Sequence, residues 1–243
     1  MRAIRFVLIA VAAAAALGGC STVGTVSGVS TGFLDKTMTV NGVARKYSVY
    51  VPQGYDARRE WPMVVFLHGL GERGDDGLLQ TAVGIGNAIR RNSERFPCIV
   101  VMPQCPDDRW WDKAFDHIDT AIDETMQEFS IDTSRVSLTG LSMGGYGTWA
   151  YGALHADRFA ALMPVCGGGK TADAAALAKV PVWAFHGEAD SVVKVDESRT
   201  MVKAVQDAGG KVKYTEYPGV DHNSWDNAYG DAEAIAWLLS QRK

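Results

Sequence analysis

The stretch RVSLTGLSMGGYGTW, residues 135–149, decides how the rest of the chain is read. Its first part is an apolar, β-prone run and its last part suits a helix, so the pattern crosses from strand to helix at the serine. At the crossing stand Gly140, Leu141, Ser142, Met143 and Gly144, with Gly145 and Gly147 just beyond. A helix start benefits from a hydroxyl cap, but capping does not require so many glycines. A turn tight enough to hold the Ser142 hydroxyl above a sheet edge does require them, because residues two before and two after the serine have no room for a side chain. The helix that follows would aim backbone amides and the positive end of its dipole at the same spot. Ser142 is therefore a candidate nucleophile. The competing reading is a plain serine cap on a glycine-rich helix, and partners elsewhere in the chain must decide.

Serine is a weak nucleophile at neutral pH and needs a base. Of the five histidines, His68 follows an apolar run and precedes Gly69, which suits a structural role in a loop. His117 lies within an amphipathic helix pattern and is expected exposed or half-buried. His155 ends the helix after Ser142, and His186 ends an apolar strand as a hydrogen-bonded core residue. His222, in GVDHNSW, lies in an irregular loop after the last strand run, where catalytic residues concentrate. His222 is the expected base. A carboxylate must orient it, and Asp190 in HGEADSVV follows a strand by a short loop. Glu188 and Asp196 are its rivals, while Asp221 and Asp226 stand too close in sequence to His222. The order Ser142, Asp190, His222 is the one used on α/β-hydrolase sheets. An oxyanion hole in that arrangement takes one amide from the residue after the nucleophile, Met143. The other comes from the loop after the third strand, LHGLGERGDD (67–76), where Leu70 is the expected donor.

Outward from this centre, extended and helical patterns alternate. KYSVYVP (46–52) alternates in period two. MVVFLHG (63–69), CIVVMPQ (98–104), RVSLTG (135–140), ALMPVCG (161–167), VPVWAFHG (180–187) and KVKYTEYPG (211–219) are the further strands. Helices are expected at roughly 78–91, 114–129, 143–155, 171–178, 196–208 and 228–241. Runs apolar throughout belong to strands covered on both faces, as in parallel sheets. The expected fold is one doubly wound α/β domain, a mostly parallel eight-stranded sheet with an antiparallel N-terminal edge and no large lid.

The chain has 243 residues, 47% of them hydrophobic, with a net charge of −4. No basic stripe suggests a nucleic-acid partner. The opening MRAIRFVLIAVAAAAALGGC has arginines at 2 and 5, then an apolar run too short to span a bilayer, then small residues. Leu17-Gly18-Gly19-Cys20 resembles a bacterial lipobox, which implies cleavage before Cys20 and lipid attachment to its thiol; Ser21 in that setting implies outer-membrane sorting. An ordinary secretory signal is the alternative. The expected organisation is a lipoprotein signal peptide at 1–19, a small polar tether at 20–34 and a catalytic domain at 35–243, anchored in the bacterial envelope and facing the periplasm. Cys98, Cys105 and Cys166 are expected as buried free thiols, since Cys98 and Cys105 flank an extended run too long to bridge.

HGLGERGDD, PQCP with WWD, GLSMGGYGTW, PVCGGG, HGEAD and DHNSWDNAY together resemble the α/β-hydrolase superfamily over about residues 38–242. The likeness is to its secreted carboxylesterase group, similar to dienelactone hydrolases, feruloyl and acetylxylan esterases and prolyl-oligopeptidase-like catalytic domains. It implies a serine esterase that needs no cofactor and acts on small acyl, aromatic or carbohydrate-linked esters. A serine peptidase of the prolyl-oligopeptidase-like type is the alternative activity, and a non-catalytic binding lipoprotein the alternative class. Zinc held by His186, Asp190 and His222 is the runner-up chemistry, but no HExxH or paired-cysteine spacing supports it. Trp110, Trp111 and Trp225 are expected substrate contacts, because aromatic residues at a pocket rim suit sugar rings or aromatic acyl groups; packing beneath the loop is the alternative reading for them.

Overall fold

The computed structural model describes residues 28–243. The expected signal peptide, Cys20 and the first part of the expected tether lie outside the described residues. The apolar runs become strands of one eight-stranded sheet. In chain order these are β1 (Gly32–Val40), β2 (Val43–Val51), β3 (Trp61–Leu67), β4 (Ile99–Pro103), β5 (Ile131–Leu141), β6 (Ala161–Val165), β7 (Val182–Gly187) and β8 (Val212–Tyr217). Their spatial order is β1-β2-β4-β3-β5-β6-β7-β8. The β1–β2 and β2–β4 pairs are antiparallel and all the others parallel, so the expected mixed sheet with an antiparallel N-terminal edge is what forms. Asn41 and Gly42, both at positive φ, make the tight turn that joins β1 to β2. Strand β1 begins at Gly32 and so takes in residues assigned to the end of the tether.

Both faces of the sheet are covered, which is why β3, β4 and β6 are buried along their whole length. On one face pack α2 (Phe115–Glu128), α3 (Met143–Leu154), α4 (Ala174–Leu177) and α5 (Asp196–Asp207), contributing Ile118, Ile122, Trp149, Leu177 and Met201 to the core. On the other pack α1 (Ile85–Arg91), α6 (Trp225–Gly230) and α7 (Ala232–Ser240), with Ile85, Ile89, Tyr229, Ile235 and Leu238. Helix α2 follows its three-and-four spacing, burying Ile118, Ala121, Ile122 and Thr125 on one side.

Some boundaries differ from the expected ones. The segment 228–241 forms two helices, split at Asp231, whose side chain caps α7 by accepting from Glu233 N at 2.8 Å. The segment 78–91 is a 3₁₀ turn, Leu79–Ala82, and then α1, separated at Gly84 with φ 53°. The segment 171–178 is likewise a 3₁₀ turn followed by the four-residue α4. Cys98, Cys105 and Cys166 are free and buried, as expected. Burial pushes the Cys105 and Cys166 thiols up to about 12. Among the described residues, no helix is long and apolar enough to cross a membrane.

Candidate active site

Strand β5 runs directly into α3 through Ser142, which takes φ 52°, ψ −117°. A non-glycine residue at positive φ carries steric strain, of order 1–3 kcal/mol. The surroundings hold it there: Ser142 N donates to Val165 O at 3.0 Å, and Tyr146 N donates to Ser142 O at 3.1 Å. The flanking glycines are required by contact. A Cβ on Gly140 would meet Gly144 O at 2.3 Å, and one on Gly144 would meet Leu67 O at 1.9 Å. Gly145 presses on the end of β6 in the same way, its Cβ position 2.4 Å from Val165 O. The Ser142 hydroxyl makes no capping bond to α3. It faces His222 instead, which removes the simple cap reading.

His222 Nε2 lies 2.9 Å from Ser142 Oγ, and His222 Nδ1 lies 2.8 Å from Asp190 Oδ2. Side chains from the loops after β5, β7 and β8 thus form one hydrogen-bonded chain at the carboxyl edge of the sheet, the place where open α/β sheets bind ligands. The Asp190 carboxylate is fully buried, and its Oδ1 accepts from Val192 N and Val193 N at 2.9 and 2.8 Å. Those two amides fix the carboxylate plane, and Oδ2 is left for imidazole. Asp221, too close in sequence to orient His222, ties the two loops together. It accepts from Ser191 N at 2.8 Å, from Ser191 Oγ at 2.9 Å and from His222 N at 2.8 Å. These bonds, those to Ser191 first, hold its carboxyl below the usual range.

His68 takes the loop role expected of it. It is buried, and burial lowers its pKa to about 4. The neutral ring then has one proton, and its neighbours say where. Gly69 O, at 2.6 Å from Nδ1, can only accept, while Cys105 N donates to Nε2 at 2.9 Å. Glu72 Oε2 accepts from Gly69 N at 3.0 Å, and Gln104 bridges Glu72 O and Gly77 N. Held from these sides, the loop begins a 3₁₀ turn at Leu70, as α3 begins at Met143. First-turn amides have no partner within their own helix. Both expected oxyanion donors therefore stand at helix starts, Met143 directly after Ser142 and Leu70 next to Gly69, where an added Cβ would lie 3.7 Å from Ser142 Cβ.

A cavity of about 880 Å³ opens next to Met143, lined by Trp110, Tyr146, Phe115, Ala150 and Lys170 among others. Trp110 is 48% exposed and meets Tyr146 edge-on, with centroids 6.2 Å apart. The other tryptophans behave differently. Trp111 touches the cavity but is buried, meets the His68 ring edge-on and donates its Nε1–H to His68 O at 3.0 Å, so it is a pillar under the loop. Trp225 is not part of the cavity lining and stands edge-on to the His222 ring, centroids 5.2 Å apart. Tyr146, part of the serine motif, is the aromatic wall that sequence reasoning did not single out.

His117 is buried rather than exposed, with Nδ1 2.8 Å from Asp116. Among the described residues, the donor atoms that converge closely enough for a metal are those of Cys166, Asp190 and His222, within 4.8 Å of one another, and not the set with His186. In this arrangement both ring nitrogens of His222 already face Asp190 and Ser142.

The sequence profile of the Dienelactone hydrolase family matches residues 80–236. The chain belongs to that family. The matched span includes Ser142, Asp190 and His222 together. A bifunctional acetylxylan esterase/xylanase from Neocallimastix patriciarum is 29% identical over 68% of this chain and 24% of its own length. A probable feruloyl esterase C from Aspergillus terreus is 25% identical over 70% of this chain and 63% of its own. The crystal structure of a thermostable esterase superposes with a TM-score of 0.80 at 39% identity, covering 87% of this chain and 63% of that one. This dienelactone hydrolase family member therefore spans less than two thirds of each of these relatives.

Proposed function

We propose that this chain is a serine-dependent carboxylic-ester hydrolase. The observation that carries the reading is the unbroken chain Ser142 Oγ–His222–Asp190, at 2.9 and 2.8 Å. His222 Nε2 takes the Ser142 proton as Oγ attacks the acyl carbon. The oxyanion forms at the start of α3, where the Met143 and Leu70 amides receive it. Asp190 holds the imidazolium in place, the His222 proton passes to the departing alkoxide, and an acyl enzyme remains. Water, deprotonated by His222, attacks that ester; the acid leaves and the serine regains its proton. No cofactor enters these steps.

The cavity beside Met143, with Trp110 and Tyr146 meeting edge-on in its lining, suits a flat aromatic acyl group or a sugar ring. Two named relatives are a feruloyl and an acetylxylan esterase, which agrees with that chemistry. Purified protein is expected to turn over short p-nitrophenyl esters, and either feruloyl or acetyl-sugar esters above the rest of a mixed ester panel. A proline-containing peptide cleaved faster than every ester would make the peptidase reading the correct one. Zinc dependence surviving loss of Ser142 would overturn the serine mechanism.

We also propose that Cys20 is the lipid attachment point and that the domain faces the periplasm from the outer membrane. The lipobox Leu17-Gly18-Gly19-Cys20 supports this. One acyl chain gives only marginal membrane binding, whereas several chains on one residue anchor stably. Expression in a bacterium fed labelled fatty acid is expected to label the wild-type chain and leave Cys20→Ala unlabelled and unanchored. Equal label on both would refute the assignment.

A further inference from the structure

Asp190 touches a second histidine. His186 Nε2 lies 3.2 Å from Asp190 Oδ2, the same oxygen that faces His222, and both side chains are fully buried. The remaining contacts of His186 can be settled by counting protons. Nε2 is also 2.9 Å from Val193 O, which can only accept, so Nε2 carries a hydrogen. Nδ1 is 2.7 Å from Ser198 Oγ, and Ser198 Oγ is 2.9 Å from Gly167 O, again an acceptor only. Ser198 has one proton for two neighbours. If it donates to Nδ1, Gly167 O faces an oxygen lone pair; if it donates to Gly167 O, an unprotonated Nδ1 faces Oγ without a hydrogen between them. The bonds to Val193 O, Ser198 Oγ and Gly167 O are all satisfied only when Nδ1 also carries a proton, donating to Ser198, which then donates to Gly167 O.

We propose that His186 is a positioning residue, held doubly protonated beside Asp190. It stands against the carboxylate oxygen that also meets His222 and shares its negative charge. The proposal rests on the reading of Asp190 and His222 as the acid–base pair. Other charged and titratable groups face the same region. Glu216 on β8 stands in register with His186 and is paired with Arg199 of α5 at 2.6 Å and with Tyr214 at 2.8 Å. Glu197 of α5 lies against Gly168, and the Cys166 thiol at the end of β6 lies within 4.8 Å of Asp190 and His222. Arg199 answers Glu216, which leaves Asp190 as the charge partner of His186.

The state of the ring is read directly by nitrogen NMR on folded, inactive Ser142→Ala protein, so this test stands whether or not the protein turns over esters. Protons on both His186 nitrogens at neutral pH are expected; one proton on Nε2 alone would overturn the doubly protonated state. Kinetics test the positioning role. His186→Phe removes both donors and should lower kcat by roughly tenfold to the ~10²-fold that a 1 Å misplacement costs, with KM little changed. Losing a cation beside Asp190 strengthens its hold on the His222 imidazolium, so the acid limb of the pH–rate profile moves to higher pH. His186→Gln, a smaller change expected to fold, restores a neutral donor and should recover kcat while leaving the limb displaced. Ser198→Ala should displace the limb in the same direction. Folded His186→Gln and Ser198→Ala proteins with the wild-type acid limb would overturn the shared charge. Wild-type kcat in folded His186→Phe would overturn the positioning.

Discussion

Ester turnover by Ser142→Ala is expected to fall by about 10⁶-fold in kcat, the scale on which a serine–histidine pair acting as a unit is lost. The basis is geometric. Oγ is the atom at which the chain from Asp190 through His222 ends, at 2.9 Å, and alanine leaves that imidazole with nothing to deprotonate. The residual rate should still exceed that in water, because the Met143 and Leu70 amides proposed to receive the oxyanion remain. The fold should persist, since the hydroxyl makes no cap to α3 and the backbone bonds of residue 142 do not involve it. Ser142→Gly sharpens the test. It is equally inactive, but glycine relieves the strain of φ 52°, so its melting temperature should exceed that of Ser142→Ala. Circular dichroism and p-nitrophenyl acetate kinetics on the three proteins decide both points. Activity in Ser142→Ala within tenfold of wild type would end the serine mechanism.

Asp190→Asn is expected to cost about 10⁴-fold in kcat while barely altering substrate binding. The hydrogen bonds around the carboxylate dictate how the amide must sit. Val192 N and Val193 N both donate to Oδ1, so the asparagine oxygen has to stay there. Its NH₂ then occupies the place of Oδ2, a donor facing His222 Nδ1 at 2.8 Å and His186 Nε2 at 3.2 Å. His222 must turn to the tautomer with its proton on Nε2, which cannot accept from Ser142. The protein should also lose stability, because a buried donor facing His186 lacks an acceptor. Steady-state kinetics with thermal melts on this variant check both effects, and an unchanged kcat would place the orienting carboxylate elsewhere.

Local sequence carried the fold a long way. Wholly apolar runs such as MVVFL and CIVVM predicted strands buried on both faces, because a parallel sheet has no solvent side against which to alternate. The boundaries that shifted are those set by single backbone positions. Gly84 and Asp231 interrupt otherwise continuous helical patterns, and apolar periodicity does not register a local φ or ψ. His117 was expected nearer the surface, yet tertiary packing of α2 encloses it.

By itself the sequence determined the strand–Ser142–helix turn, since glycine spacing is a direct imprint of steric exclusion between neighbours along the chain. It also singled out Asp190 and His222, because each sits just past a strand end and their order restricts which acid can follow which nucleophile. What only the tertiary structure decided is how side chains distant in sequence share one oxygen or one wall. His186 and His222 meet on Asp190, Asp221 joins two loops in place of orienting the base, and Tyr146 with Trp110, rather than Trp225, faces the cavity. The reason is that periodicity and motif spacing encode which face a residue takes on its own element. Which residue meets it there depends on crossings between strands and helices that local sequence does not specify.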